Sequence, residues 1–131
     1  MKSTLVRQDS DKLADVVVRG MQEKKAADIV VLNLKELKNA VADYFIICSA
    51  SSDTQIEAIA RSVEEEVEKL TGQNPWQTEG RMNREWVLLD YVDVVVHVFL
   101  RDRRQFYALE ELWGDAEITH VAEEETPAAV K

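Results

Sequence analysis

A chain of 131 residues, 46% of them hydrophobic, can bury one core and has no length for a second domain. Its 16 Lys and Arg stand against 25 Asp and Glu, a net charge of −9 that opposes extended contact with phosphates and disfavours nucleic acid as the main partner. The lone Cys48 excludes an intrachain disulfide, and the acidic, polar N-terminal stretch resembles neither a secretion signal nor a transit peptide. No apolar run reaches the roughly 20 residues that span a bilayer, so a cytoplasmic protein with no membrane partner is expected.

Residues 1–8 are expected to be flexible. From residue 9 to 25, Leu13, Val16, Val17 and Met21 recur on one helical face with Ser10 available as an N-cap, which predicts a first amphipathic helix. Residues 28–34 and 43–49 are rich in β-branched and aromatic side chains and predict two buried strands joined by a charged link. A turn cluster at 49–53 leads into a second helix. Ser52 and Gln55 have capping-box spacing, and Ile56, Ile59, Ala60, Val63, Val67 and Leu70 share a face until Gly72 and Pro75 end the run. Glu64, Glu65, Glu66 and Glu68 read as a solvated face.

Residues 76–79 predict a short strand and 80–84 a loop. Residues 85–91 and 93–100 are two strand-like runs separated by one residue, which predicts an antiparallel hairpin. Period two places Trp86, Leu88 and Asp90 on one face of its first strand and Val87, Leu89 and Tyr91 on the other. Both faces are largely apolar, so the hairpin should be central or covered on both sides. Residues 103–113 predict a last helix, and residues 119–131 an acidic, disordered tail beyond a folded unit at 9–118. The order predicts an α/β fold: one mixed, five-stranded sheet flanked by helices.

The inventory for chemistry is thin. His97 lies in an alternating valine strand and reads as a hydrogen-bonded core histidine, while Cys48 reads as a small core hydrophobe. No metal-ligand spacing or glycine-rich phosphate loop is present, and Asp90 and Asp93 suit turn chemistry better than an ion, so neither cofactor nor metal is expected. Surface recognition remains, with Trp86, beside a loop holding Arg81 and Arg84, as a candidate anchor or a core residue.

Residues 42–49 (ADYFIICS), Glu79-Gly80, 86–91 (WVLLDY), 93–99 (DVVVHVF) and 106–116, ending in LWGDA, follow in the order of the motifs of the Iojap family of ribosomal silencing factors, which this chain resembles over most of residues 8–118. The resemblance implies five mixed strands on a scaffold similar to the nucleotidyltransferases. It also implies a non-enzymatic role: binding the large ribosomal subunit through large-subunit ribosomal protein fourteen, blocking the small subunit and damping translation when nutrients run short. An acidic module suits a basic ribosomal protein and needs little direct nucleic-acid contact. In the family the interface surrounds the strand-opening tryptophan, here Trp86, with Glu79, Gly80, Leu88, Asp90 and Tyr91 as supporters; members often form homodimers. Relatives carry glycine between the hairpin's Tyr and Asp. This chain has Val92, which implies either an altered turn or one that never needed positive φ.

Two other functions compete. Nucleotidyl transfer would need a Gly-Ser phosphate-gripping turn and paired strand carboxylates for Mg²⁺, where this chain has Ser49-Ala50-Ser51 and no Asp-x-Asp pair on its predicted strands. A dimeric adaptor would use the same hairpin surface on itself.

Overall fold

The computed structural model describes residues 2–37, 40–102 and 116–122. In chain order the elements are α1 (Lys2–Glu23), β1 (Ala27–Asn33), β2 (Tyr44–Ala50), α2 (Asp53–Thr71), β3 (Gln77–Glu79), β4 (Trp86–Asp90), β5 (Val94–Leu100) and β6 (Glu117–His120). The strands form one mixed sheet in the order β3-β4-β5-β2-β1-β6. Only the β2–β5 pair is parallel among these strands, Tyr44 opposite Val94 through Ala50 opposite Leu100. The intervening α2 supplies the long crossover that a parallel pair requires.

Burial explains the layering. Leu13, Val16, Val17 and Met21 of α1 and Ile56, Ile59, Ala60, Val63 and Val67 of α2 pack on one sheet face, against Ile46, Cys48, Val87, Leu89, Val94, Val96 and Val98. The helices approach closely where a Cβ on Gly20 would come within 2.9 Å of the Val63 backbone, and the buried Ser62 hydroxyl donates to Gly20 O at 2.8 Å. On the opposite face Val30, Leu32, Phe45, Ile47, Val95 and Phe99 are buried, with Trp86 and Leu88 half-buried against them. The hairpin's inner strand is thus covered on both sides, as its two apolar faces require.

The start of α2 follows the sequence with one displacement. Ser52 caps the helix by accepting from Gln55 N at 3.1 Å, but Gln55 Oε1 reaches back to Ser51 N, at 2.7 Å, one residue earlier than a capping box would have it. Gln55 Nε2 also donates to Lys24 O and Lys25 O, tying this helix end to the α1–β1 turn. Gly72 ends α2 with φ 74, the left-handed conformation expected of a glycine C-cap.

Several expectations are corrected. The sheet has six described strands, not five: β6 pairs with β1, with Val30 opposite His120 and Asn33 opposite Glu117. All four β6 residues are exposed, so no buried alternation marks this strand, and two of them, Thr119 and His120, belong to the segment expected to be disordered. Helix α1 begins at Lys2, within the stretch expected to be flexible, and Ser10 is buried inside the helix instead of capping it. Leu70, placed on the inner face of α2 by spacing, is 56% exposed in the last turn. The helix predicted at 103–113 lies outside the described residues.

The β4–β5 turn holds Val92 in a backbone conformation that favours glycine. Val92 sits at φ 77, and Asp93 N donates to Tyr91 O at 2.9 Å across it, a γ-turn of the rare positive-φ kind. Asp90 Oδ1 supports the turn by accepting from Val92 N at 2.8 Å. A β-branched residue held there carries roughly 1–2 kcal/mol of strain. Val92→Gly relieves it, gives up some in unfolded-chain entropy, and should stabilise the fold by about 1 kcal/mol, raising the thermal midpoint by about 3–5 °C. A lowered midpoint would show that the turn is not strained.

Candidate functional site

The margin of the sheet is built around Gly80. It closes the β3–β4 corner at φ 85, and a Cβ there would lie 1.9 Å from Trp86 O, so only glycine fits. Arg84 N bonds back to Gly80 O at 2.8 Å. The corner is clamped to α2 by Arg81, whose guanidinium donates to both oxygens of Glu64 at 2.8 and 2.9 Å and lies 3.5 Å from Glu57. Glu64, read from sequence as part of a solvated face, is therefore a structural ion-pair partner.

This clamp positions β3 on β4, with Glu79 opposite Leu88 and Gln77 opposite Asp90. Trp86, Leu88 and Asp90 project to the same face, and Glu79 stays exposed on the outer strand. Trp86 is held from inside: its Nε1–H donates to His97 Nδ1 at 3.0 Å, and its indole stacks on Phe99 at 5.1 Å. It is thus a half-buried plate belonging to the core and to the surface at once.

His97 completes the arrangement as the hydrogen-bonded core residue expected. Burial lowers its pKa to about 4, so it is neutral near pH 7, and with Nδ1 accepting, its proton must sit on Nε2. Nε2 is buried with no hydrogen-bond partner among the described residues.

Of the six residues assigned to partner binding on sequence, Glu79, Gly80, Trp86 and Leu88 meet at this corner, and Asp90 shares their strand face at the far end of β4, beside the β4–β5 turn. Tyr91 does not join them. It lies on the opposite face, buried in the helix-side core at 5% exposure, where desolvation pushes its phenol pKa up. Period two had already separated it from Trp86.

Three residues that sequence reasoning did not select sit at the lower end of the same face. Trp76, Val41 and Val92 are 73%, 77% and 55% exposed and, with Asp90 and Val95, line a depression of about 310 Å³. A signal was available for Trp76. It follows the Pro75 helix stop and precedes the polar run Gln77-Thr78-Glu79, which supplies no apolar alternation to carry it inward.

Among the described residues no three His, Cys, Asp or Glu converge as metal ligands, and Cys48 is fully buried. None of the described helices is long and apolar enough to cross a membrane. The arrangement defines a small α/β module whose sheet margin carries a half-buried strand face of Trp86, Leu88 and Asp90.

Comparison with known proteins gives that module its family. Residues 7–131 match the family described as ribosomal silencing factor during starvation. The ribosomal silencing factor of Bacillus subtilis is 43% identical over 101 residues, 77% of this chain and 84% of that protein. The chloroplastic Iojap protein of Zea mays is 38% identical over 100 residues, 76% of this chain and 42% of that protein. A solved structure from Chromobacterium violaceum, 30% identical, matches with a TM-score of 0.74 over 88% of this chain and 95% of that one. The chain belongs to the ribosomal silencing factor family.

The buried imidazole makes stability depend on pH. His97 has a folded pKa of about 4, below its unfolded value near 6.5, so the unfolded chain takes up the proton first. Its contribution is complete above about pH 6.5 and is lost as pH falls towards about 4. Between about pH 6.5 and about pH 4.5 this amounts to about 2–3 kcal/mol. Urea unfolding of His97→Gln should show that much less acid destabilisation than the unsubstituted chain. Identical pH slopes would mean that the imidazole is not buried neutral.

Proposed function

We propose that this chain binds the large ribosomal subunit through large-subunit ribosomal protein fourteen and sterically blocks joining of the small subunit, repressing translation under nutrient limitation. The observation that carries the reading is the half-exposed Trp86–Leu88 strand face at the sheet margin of a family member, rigidly held by Gly80 and His97. A flat, preorganised aromatic face loses little entropy on docking and is the kind of surface where binding energy concentrates. The net charge of −9 favours a basic protein partner over RNA and speeds encounter with it. The reading places the chain in the cytoplasm, with the folded module sufficient for binding and no cofactor.

Occlusion needs no reaction, and we assign no enzymatic activity. Where a nucleotidyltransferase would hold phosphates, at the end of β2, this chain has Ser49, 1% exposed, Ala50 and Ser51, and Ser51 is hydrogen-bonded to Gln55. The likeness of the scaffold to those enzymes, which the family implies, carries no chemistry without their site.

Trp86→Ala is a poor test, because it removes an aromatic side chain from packing and leaves His97 Nδ1 without its donor, at about 3–5 kcal/mol. Glu79 is exposed and spares the core. The purified chain should co-migrate with large subunits through a sucrose cushion, and Glu79→Lys should bind at least about tenfold more weakly at low salt. Failure of the unsubstituted chain to co-migrate would end the proposal, and full binding by Glu79→Lys would move the interface elsewhere.

A further inference from the structure

Three chain segments meet at the lower end of the Trp86 face: the β1–β2 link with Val41, the α2–β3 link with Trp76, and the β4–β5 turn with Val92. Their backbones are fixed together. Trp76 N donates to Asp90 O at 2.7 Å, Asp43 N to Asp93 O at 2.8 Å, and Leu34 N to Asp43 O at 2.8 Å. The three exposed apolar side chains thus stand on a rigid base.

Exposure of this kind does nothing for folding. A tryptophan at 73% exposure gains little burial energy, and a valine at φ 77 that is 55% exposed carries strain with no packing in return. Such strain is retained where the position serves a contact the isolated chain does not make. The patch is also continuous with the proposed docking strand, since Asp90 and Val95 line it and Asp90 shares a face with Leu88 and Trp86.

Charge selects the occupant. The described residues lining the depression include one carboxylate, Asp90, and no cation. Asp93 follows the lining residue Val92 in the chain, and its carboxyl is pushed above its ordinary pKa first by burial and then by repulsion from Asp43. A second copy of this chain would bring like charges together on this rim, whereas a basic segment would neutralise them.

We propose that the ledge formed by Val41, Trp76 and Val92 is a second contact of the docking face, taking a Lys- or Arg-bearing protein segment whose aliphatic stem lies on Trp76 while its charge meets Asp90 and Asp93. This rests on the ribosomal reading above and adds that the interface runs the length of β4. A long cationic side chain suits both demands, because its stem covers apolar surface while its head stays with the carboxylates, and an indole face attracts that charge further.

The test measures affinity for purified large ribosomal subunits by biolayer interferometry, with thermal melts alongside. Trp76→Ala should bind at least about tenfold more weakly with an unchanged melt. Val92→Gly should bind a few-fold more weakly while melting higher, a divergence that a merely structural role would not produce. If the unsubstituted chain binds and both variants bind within about twofold of it, the ledge is no contact, although the ribosomal reading stands. If the unsubstituted chain does not bind, both fall. If Trp76→Ala leaves ribosome binding intact but lowers the self-associated mass in sedimentation, the occupant is a second copy and the proposal is overturned.

Discussion

The register of β4 on β5 is the constraint from which the functional face follows. With Trp86 opposite Phe99, Leu88 opposite His97 and Asp90 opposite Val95, the alternation of the strand sends Val87 and Leu89 to the helices and Trp86, Leu88 and Asp90 to the other side. A slip of one residue would turn Asp90 towards the helices and expose Val87 and Leu89. Two local devices hold the register: the indole–imidazole bond from Trp86 to His97 at one end, and the Asp90-supported turn at the other. Both sit on the face proposed for docking, so on that proposal folding and recognition would draw on the same side chains.

Much of this was legible in the sequence because periodicity reports burial. The alternation in β4 and β5 gave the hairpin, its two apolar faces gave its covered position, and Ser52 and Gly72 marked the ends of α2 by the backbone groups they satisfy. What escaped has no periodic signature. Strand β6 is held by edge pairing with every residue exposed, and Gln55 bonds two carbonyls about thirty positions away in the α1–β1 turn. The Glu64–Arg81 pair hid within a run of acidic residues whose default reading is solvent.

Val92 is instructive because a β-branched residue occupies a conformation that favours glycine. The sequence left open whether this turn needs positive φ; the chain adopts φ 77 at Val92 and accepts the strain. The surrounding bonds, from Asp90 to Val92 N and from Asp93 N to Tyr91 O, over-determine the backbone, so the side chain has no vote. Likewise Tyr91 lies next to Asp90 in sequence but points to the other side of the sheet. Adjacency along a motif is not adjacency in a site.

A domain that acts by occupying space needs a rigid face, a charge that finds its partner, and a firmly bound state that excludes a competitor. Under the proposed occlusion, the Gly80 corner and the neutral buried His97 would supply the first and the net charge of −9 the second. The third is best tested by light scattering on mixing small and large ribosomal subunits with the purified chain. The account predicts that joining falls in proportion to chain bound, saturating at one chain per large subunit, when the chain is added before mixing. Normal joining with the chain demonstrably bound to the large subunit would contradict occlusion.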